Sequence, residues 1–138
     1  MTPAAARERF LRARVARLAT AGADGRPHLV PVVFAVAGET VYSAVDRKPK
    51  RTARLRRLAN AAENPRVALL ADHYDDANWD ALWWVRADGI ARVLPPEADE
   101  AVRAVDLLAG RYAQYRTARP EGPVLAVDVE RWSGWSAA

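Results

Sequence analysis

The strongest concentration of chemically active side chains is a basic segment near the middle of the chain. Its seven cationic residues, within eleven positions, are Arg47, Lys48, Lys50, Arg51, Arg54, Arg56 and Arg57. Lys48 and Lys50 alternate after a predicted strand, so both side chains point to one side of the chain. Thr52 then begins a predicted helix, whose free N–H groups and positive dipole end favour an anion. Together these features predict a binding site for a phosphate group.

The members of this segment are expected to contribute unequally. Lys50 should contribute most, because it lies between the end of the strand and the start of the helix. Arg51 and Arg54 are predicted to assist, since a guanidinium binds phosphate through two donors. Arg56 and Arg57 are expected only to solvate the helix, because one ligand cannot meet all of its faces. A nucleic-acid partner is the weaker alternative, because such a surface needs dispersed basic residues.

Side chains that could catalyse a reaction by themselves are scarce. The 138-residue chain has no cysteine and two histidines, His28 and His73. This excludes a thiolate nucleophile, disulfides and multi-histidine metal centres, and we expect no metal. Asp75 and Asp76 are interpreted as solvated charges in a polar loop. A bound cofactor is therefore expected to carry any reaction while the protein orients it, and no catalytic side chain is assigned.

The composition is that of one globular domain covering residues 1–138. Hydrophobic residues make up 51% and charged residues 28%, with a formal net charge of +4. The chain has no apolar run long enough to cross a membrane, and its N-terminus lacks a signal-peptide core. We therefore expect a cytoplasmic protein without a membrane partner.

Five tryptophans are a second unusual feature for a chain of this length. Trp83 and Trp84 are adjacent on a predicted strand, so their rings must face opposite sides of the sheet. One of the two rings can enter the core. The other needs a second cover, either a flat ligand or a partner subunit.

The predicted elements describe an α+β domain built on an antiparallel barrel or sheet. Asp88-Gly89 is expected either to break its strand or to place a bulge in it. The helices are predicted over residues 4–14, 52–62 and 98–112. The six strands are predicted over residues 15–20, 28–36, 40–45, 67–71, 82–94 and 124–131, followed by a tail at residues 132–135.

The order and spacing of several segments make the family recognisable. They are the segments at residues 25–34, 41–43, 48–51, 82–86, 91–94 and 127–135, which read GRPHLVPVVF, VYS, KPKR, LWWVR, ARVL and VDVERWSGW. In this order they resemble the pyridoxamine 5'-phosphate oxidase-like split barrels. They are most similar to the branch of small enzymes that use the deazaflavin coenzyme F420 rather than FMN.

The resemblance implies a mainly β fold with inserted helices: a six-stranded antiparallel split β-barrel. It also implies a homodimer with two equivalent cofactor sites at the subunit interface. In this family the second strand lies along the flavin ring and basic residues hold the phosphate. The end of the fourth strand approaches the ring or tail, and tryptophans close the site across the dimer. The cofactor-binding residues so implied are Val30, Pro31, Val32, Val33, Ser43, Lys48, Lys50, Arg51, Arg54, Ala71, Asp72, His73 and Trp84.

The function implied by the resemblance is that of an F420-dependent oxidoreductase. A hydride would pass between C5 of the deazaflavin and an unsaturated organic small molecule. The additional arginines at residues 54–57 would suit the anionic polyglutamate tail of F420. Two alternatives stay open: an FMN-dependent oxidase or reductase of the same fold, and a non-catalytic module that binds flavin, haem or nucleic acid. Residues that would identify pyridoxamine phosphate as the substrate are not found.

Overall fold

The computed structural model describes residues 1–45 and 52–138, and of residues 52–55 it describes the backbone only. In chain order, the described elements are α1 (Pro3–Arg12), β1 (Ala16–Ala21), β2 (Pro27–Val32), β3 (Ala35–Ala37), β4 (Thr40–Ala44), α2 (Thr52–Glu63), β5 (Arg66–His73), a 3-10 helix (Trp79–Ala81), β6 (Trp83–Leu94), α3 (Asp99–Arg111), α4 (Ala113–Thr117) and β7 (Val124–Ser136). None of the helices in these ranges has the length and apolar character needed to cross a lipid bilayer.

The seven strands form one antiparallel sheet in the order β2-β1-β5-β6-β7-β4-β3. The two outer strands, β2 and β3, are separated in sequence by only Val33 and Phe34. A link of this length spans at most roughly 11 Å, so the two edges of the sheet must approach each other. The sheet therefore curls into a barrel, which confirms the predicted antiparallel split barrel.

The number of strands differs from the prediction of six. The segment at residues 28–36, predicted as one strand, is divided at Val33 and Phe34 into β2 and β3. At the division, both the N–H and the C=O of Phe34 hydrogen-bond the hydroxyl of Tyr112 instead of a neighbouring strand. On the outer side of this segment, Leu29 of β2 is 67% exposed in the single chain.

The last strand is longer than predicted, because the expected tail at residues 132–135 continues β7 against β6. The predicted irregularity at Asp88-Gly89 is a bulge and not a break. Asp88 pairs with Arg131 whereas Gly89 pairs with Val129, which leaves Glu130 as the extra residue. A Cβ at Gly89 would lie 2.9 Å from Val127 Cγ1 and 3.0 Å from the carbonyl carbon of Asp128. Glycine is required there because the two backbones approach so closely.

The barrel interior is packed with apolar side chains and closed by α1. Phe10 on α1 is fully buried, and its ring lies 4.6 Å from that of Phe34 and 5.4 Å from that of Trp132, between centroids. Thr2 begins the helix, since its hydroxyl accepts a hydrogen bond from the Ala5 N–H. The capped helix thus places one aromatic side chain between the two sheet edges and β7.

The long helix α3 packs on the outside of the barrel and is held there by an ionic cluster. Arg92 on β6 donates to both oxygens of Glu100 on α3, at 2.9 Å each, and to both oxygens of Asp128 on β7. Tyr42 donates a further hydrogen bond of 2.7 Å to Glu100. The hydrogen bonds from Arg92 and then Tyr42 lower the pKa of Glu100 to about 2. Hydrogen bonding to Arg92 likewise lowers the pKa of Asp128.

This cluster predicts an acid-sensitive contribution to stability. A carboxyl whose pKa is lower in the folded than in the unfolded state stabilises the fold above its unfolded pKa, and the contribution disappears as pH falls through the folded pKa. We expect Glu100→Gln to lower the free energy of unfolding by about 1 kcal/mol at pH 7, or a few degrees in Tm, because the cluster is partly screened by solvent.

The difference between Glu100→Gln and the wild type should shrink between pH 4.5 and about 2, the ordinary and folded pKa values of Glu100. Thermal melts across this range measure it. Glu97→Gln is the matched control, because Glu97 is exposed and makes no ion pair within residues 1–45 and 52–138. A difference that does not change with pH would contradict the ionic role of Glu100.

Candidate cofactor site

A cavity of about 370 Å³ lies where β2 ends and the chain crosses to the other edge of the sheet. Its lining residues are Pro31, Val32, Val33, Ser43, Ala44, Arg57, Tyr112, Gln114 and Tyr115. The structure therefore brings together four of the residues predicted to bind a cofactor: Pro31, Val32, Val33 and Ser43. It adds five residues that were not in the predicted set.

One wall of the cavity is apolar and comes from the end of β2. Pro31 pairs with Arg17 of β1 and is exposed, whereas Val32 faces the other side and is buried. Proline is tolerated here because β2 is an outer strand, where a missing N–H costs no hydrogen bond to a further strand. Val33 continues the wall beyond the end of the strand. A wall of this kind suits the face of a flat ring.

The polar side of the cavity is formed by Ser43 and Arg57. Ser43 is buried on β4, where it pairs with Leu125 of β7. Arg57 is half-buried on α2 and lines the cavity, whereas its neighbour Arg56 is exposed. The expectation that Arg57 only solvates its helix is therefore wrong. The two side chains differ because adjacent helical residues point about 100° apart, and only one of them faces the barrel.

The other predicted phosphate-binding residues cannot be compared with this cavity. Lys48, Lys50 and Arg51 lie outside the described residues, and the side chain of Arg54 does as well. Arg57 lies three positions after Arg54, a spacing that puts both on neighbouring positions of one helix face. The prediction of a phosphate site at the start of α2 thus stays a prediction, with Arg57 as an additional cation on its cavity side.

The wall opposite β2 comes from the junction of α3 and α4. The Tyr112 hydroxyl accepts a hydrogen bond from the Phe34 N–H at 3.2 Å and lies 2.9 Å from the Phe34 carbonyl oxygen. Arg111 donates to the same hydroxyl at 3.1 Å and to the Leu11 carbonyl at 2.8 Å. The guanidinium of Arg14 lies 4.7 Å from the centre of the Tyr112 ring. Tyr112 thus joins this wall to the link between β2 and β3.

Sequence reasoning missed this wall for an identifiable reason. The sequence predicts a helix only as far as residue 112 and assigns no helix or strand to residues 113–117. The structure has a short second helix there, and Tyr112 and Tyr115 contact each other edge to face with ring centroids 6.1 Å apart. Two tyrosines at a spacing of three were a signal for an aromatic surface. Only the tertiary structure shows what that surface faces.

Two predicted residues face the barrel interior instead of the cavity. Ala71 is 1% exposed and belongs to the core, and Val30 packs against the same core cluster. Both lie on the inward side of their strands, since the side chains of a strand alternate between the two faces.

The last three predicted residues form a separate group at the junction of β5 and β6. Asp72 pairs with Trp84 across these strands, and its carboxylate lies 4.0 Å from the guanidinium of Arg17. His73 stacks on Trp83 with ring centroids 6.2 Å apart. None of the three lines the cavity of its own chain. They therefore belong to a different part of the surface.

The structure shows which of the adjacent rings of Trp83 and Trp84 on β6 faces the core. Trp83 packs against the core cluster and lies 5.0 Å beneath the guanidinium of Arg9 on α1. Trp84 faces outward, where it pairs with Trp135 of β7 and lies 5.5 Å from the guanidinium of Arg86. Of the two rings, Trp84 is therefore the one that lies on the outer face of the sheet.

The chemical groups that line the cavity limit what it can do. Among its described lining residues there is no carboxylate, imidazole or thiol. Its polar groups are a guanidinium, hydroxyls and an amide, which can hold an anion or a carbonyl.

The sheet is an antiparallel barrel, and its cavity is lined by the end of β2 and by Arg57 of helix α2. This arrangement is that of the split-barrel class. The model of the pyridoxamine 5'-phosphate oxidase family matches residues 2–136. The chain belongs to this family, as its sequence motifs predicted.

One curated relative is the 5a,11a-dehydrotetracycline/5a,11a-dehydrooxytetracycline reductase of Streptomyces rimosus, 36% identical over 87 residues. The alignment covers 62% of this chain and 60% of the relative.

Solved structures with the same fold come from several bacteria. A conserved hypothetical protein of Mycobacterium tuberculosis superposes with a TM-score of 0.75 at 23% identity, over 99% of this chain and 86% of the other. A FAD-binding protein of Mesorhizobium loti superposes with a TM-score of 0.74 at 19% identity, over 97% of this chain and 94% of the other. The heme storage protein HutZ of Vibrio cholerae superposes with a TM-score of 0.71 at 17% identity, over 99% of this chain and 95% of the other. These likenesses establish the fold.

The position of Arg57 predicts that it holds the anionic part of a bound cofactor. We expect Arg57→Ala to raise the Kd of a phosphate-bearing flavin or deazaflavin by about tenfold or more, because a hydrogen bond to a charged group contributes roughly 1.5–3 kcal/mol. Arg56→Ala is the matched control and should change the Kd by less than about threefold, since exposed charges contribute little. Lys50→Ala should raise the same Kd by about ten- to a hundredfold.

Fluorescence titration of the cofactor ring measures each Kd, and thermal melts without cofactor show that the fold is intact. Equal losses for Arg56→Ala and Arg57→Ala would point to a diffuse positive field instead of a defined contact.

Proposed function

We propose that this protein is an F420-dependent oxidoreductase that binds the deazaflavin in the cavity beside β2. The observation that supports this is the combination of an apolar strand wall with the Arg57 guanidinium and the Ser43 hydroxyl in one cavity. A flat ring with an anionic chain has the same two-part character. Bound F420 would supply hydride transfer at C5 of its ring.

The residues of the chain would contribute binding and orientation. Pro31, Val32 and Val33 would hold one face of the ring and exclude water from it. Arg57, together with the basic residues before it, would bind the phosphate and the acidic tail. Tyr112 would keep the β2 wall in place through its hydrogen bonds to Phe34. Holding two reactants in a suitable geometry is itself a large part of rate acceleration.

The direction of the reaction is proposed from the curated relative. That protein is named as a 5a,11a-dehydrotetracycline/5a,11a-dehydrooxytetracycline reductase, a name that puts a carbon–carbon double bond at positions 5a and 11a of its substrates, and its alignment here covers 62% of this chain. We therefore propose reduction of a conjugated, flat substrate that stacks on the cofactor ring. FMN is the second candidate cofactor, because one solved structure of the same fold is named as a FAD-binding protein.

The choice of F420 over FMN is proposed from the number of cations in the basic segment of the sequence that ends at Arg57. The positively charged segment continues on the helix as far as Arg57, beyond what one phosphate requires. The tail of F420 carries several carboxylates after its phosphate, and this extended anion would meet more of these side chains.

We expect the protein to bind F420 more tightly than FMN, as measured by titration of the ring fluorescence of each. With reduced F420, the first substrate to assay is 5a,11a-dehydrotetracycline, whose consumption is followed by absorbance. If FMN binds at least as tightly as F420, the assignment to F420 is wrong. If neither binds, the proposed function is wrong as a whole.

We also propose that a second copy of the chain covers the outer face of β2, β1, β5, β6 and β7. Large apolar side chains stand exposed on this face: Leu29 at 67%, Leu70 at 37% and Trp135 at 47%. They share one side of the sheet, because Leu29 pairs with Ala19 on β1, whose partner on β5 is Ala68, two residues before Leu70. Asp72 and Trp84 face the same side, so a symmetric partner could bring them to the other subunit's cofactor.

The dimer is tested by light scattering at micromolar concentration, where we expect twice the chain mass. An obligate interface on this face should bury well over ~1,000 Å². Leu29→Glu should give a monomer, because it puts a charge into the interface without touching the core. Val102→Glu is the control, since Val102 is 50% exposed on α3, outside this face. A monomeric wild-type protein would rule out the shared site.

A further inference from the structure

We propose that Gln114 recognises the bound ring through its side-chain amide, as a specificity-determining residue in the wall opposite β2. This inference rests on the proposed function, since it assigns a role within the same cavity. The group recognised is a carbonyl next to an N–H or O–H donor. The pyrimidine edge of a flavin or deazaflavin carries this pair, and it is the source we favour.

The position of Gln114 supports this assignment. It is one of the residues that line the cavity, and it is exposed. Its backbone carbonyl accepts hydrogen bonds from the Ala118 N–H and the Thr117 hydroxyl, both at 3.1 Å. Its side-chain amide makes no hydrogen bond to any residue that the structure describes. The amide is thus available for a ligand.

Two other polar groups of the cavity suit this role less well than Gln114 does. The Tyr112 hydroxyl is engaged by the backbone of Phe34 and by Arg111. Arg57 is a cation that suits the phosphate and donates only. A glutamine amide presents an acceptor and a donor side by side in one plane, which matches a carbonyl beside an N–H.

The wall is also held firmly enough to select a ligand. Arg116 donates to the carbonyls of Ala109 and Gly110 at 3.1 and 3.2 Å, which ties α4 to the end of α3. Tyr115 contacts the ring of Tyr112, which is itself bonded to the β2–β3 link. The amide is therefore carried by a backbone whose distance to the opposite wall is set by direct hydrogen bonds.

The experiment separates the ring from the anionic chain. Four probes are titrated: FMN, riboflavin, F420 and the F420 ring compound that lacks the phosphate and its tail. We expect Gln114→Ala to raise the Kd by about tenfold for every probe that the wild type binds, because the ring edge is common to all four. Arg57→Ala should raise the Kd only for the two that carry a phosphate. Arg119→Ala, two residues after the same helix and outside the cavity lining, is the control and should leave the Kd of all four probes unchanged.

Gln114→Met keeps the length of the side chain and removes the amide, so it should lose as much affinity as Gln114→Ala. Full affinity in Gln114→Met would show a packing contact and overturn the proposal, as would unchanged affinities in both variants with an unchanged KM for 5a,11a-dehydrotetracycline. Unchanged cofactor affinities with a raised KM would assign the same hydrogen-bonding chemistry to the substrate instead of the ring. A wild-type protein that binds none of the four probes would instead contradict the proposed function itself.

Discussion

The passage of the chain from β2 to β3 is the constraint on which the rest of the structure depends. Two residues, Val33 and Phe34, connect the opposite edges of the sheet, and this short link closes the barrel. The backbone of Phe34 cannot pair with a strand while it crosses, so it needs another partner. The Tyr112 hydroxyl supplies one for both its N–H and its C=O. An unpaired buried backbone group would otherwise destabilise this corner by roughly 1–3 kcal/mol.

The cavity is a consequence of that corner. Where β2 ends, its last residues form one wall, and the helix end that carries Tyr112 forms the opposite wall. The inserted helix α2 then contributes Arg57, and β4 contributes Ser43. The ionic cluster of Arg92, Glu100 and Asp128 holds α3 on the outside of the barrel, and α3 positions Tyr112. The stability of the fold and the shape of the cavity are therefore linked through α3.

Side chains along a β-strand point alternately to its two faces, and this explains which of the predicted residues line the cavity and which do not. Val32 and Pro31 are neighbours that border one cavity from two sides of a strand, whereas Ala71 is turned into the core. Asp72 and Trp84 share the outer face of the sheet with Leu29 and Leu70, away from the cavity of their own chain. A site shared between two copies would reconcile these two groups, since each copy would present its outer face to the other.

The sequence by itself determined the family, the antiparallel barrel and an irregularity at Asp88-Gly89, and it predicted that the end of β2 belongs to the site. These depend on local patterns: alternation along strands, turn residues and the order of motifs. Only the tertiary structure decided that one strand divides at Phe34, that Arg57 and not Arg56 faces the cavity, and that Gln114 stands opposite β2. The reason is physical. Helical rotation and long-range hydrogen bonds select between neighbouring side chains of the same chemistry, and no local pattern records that selection.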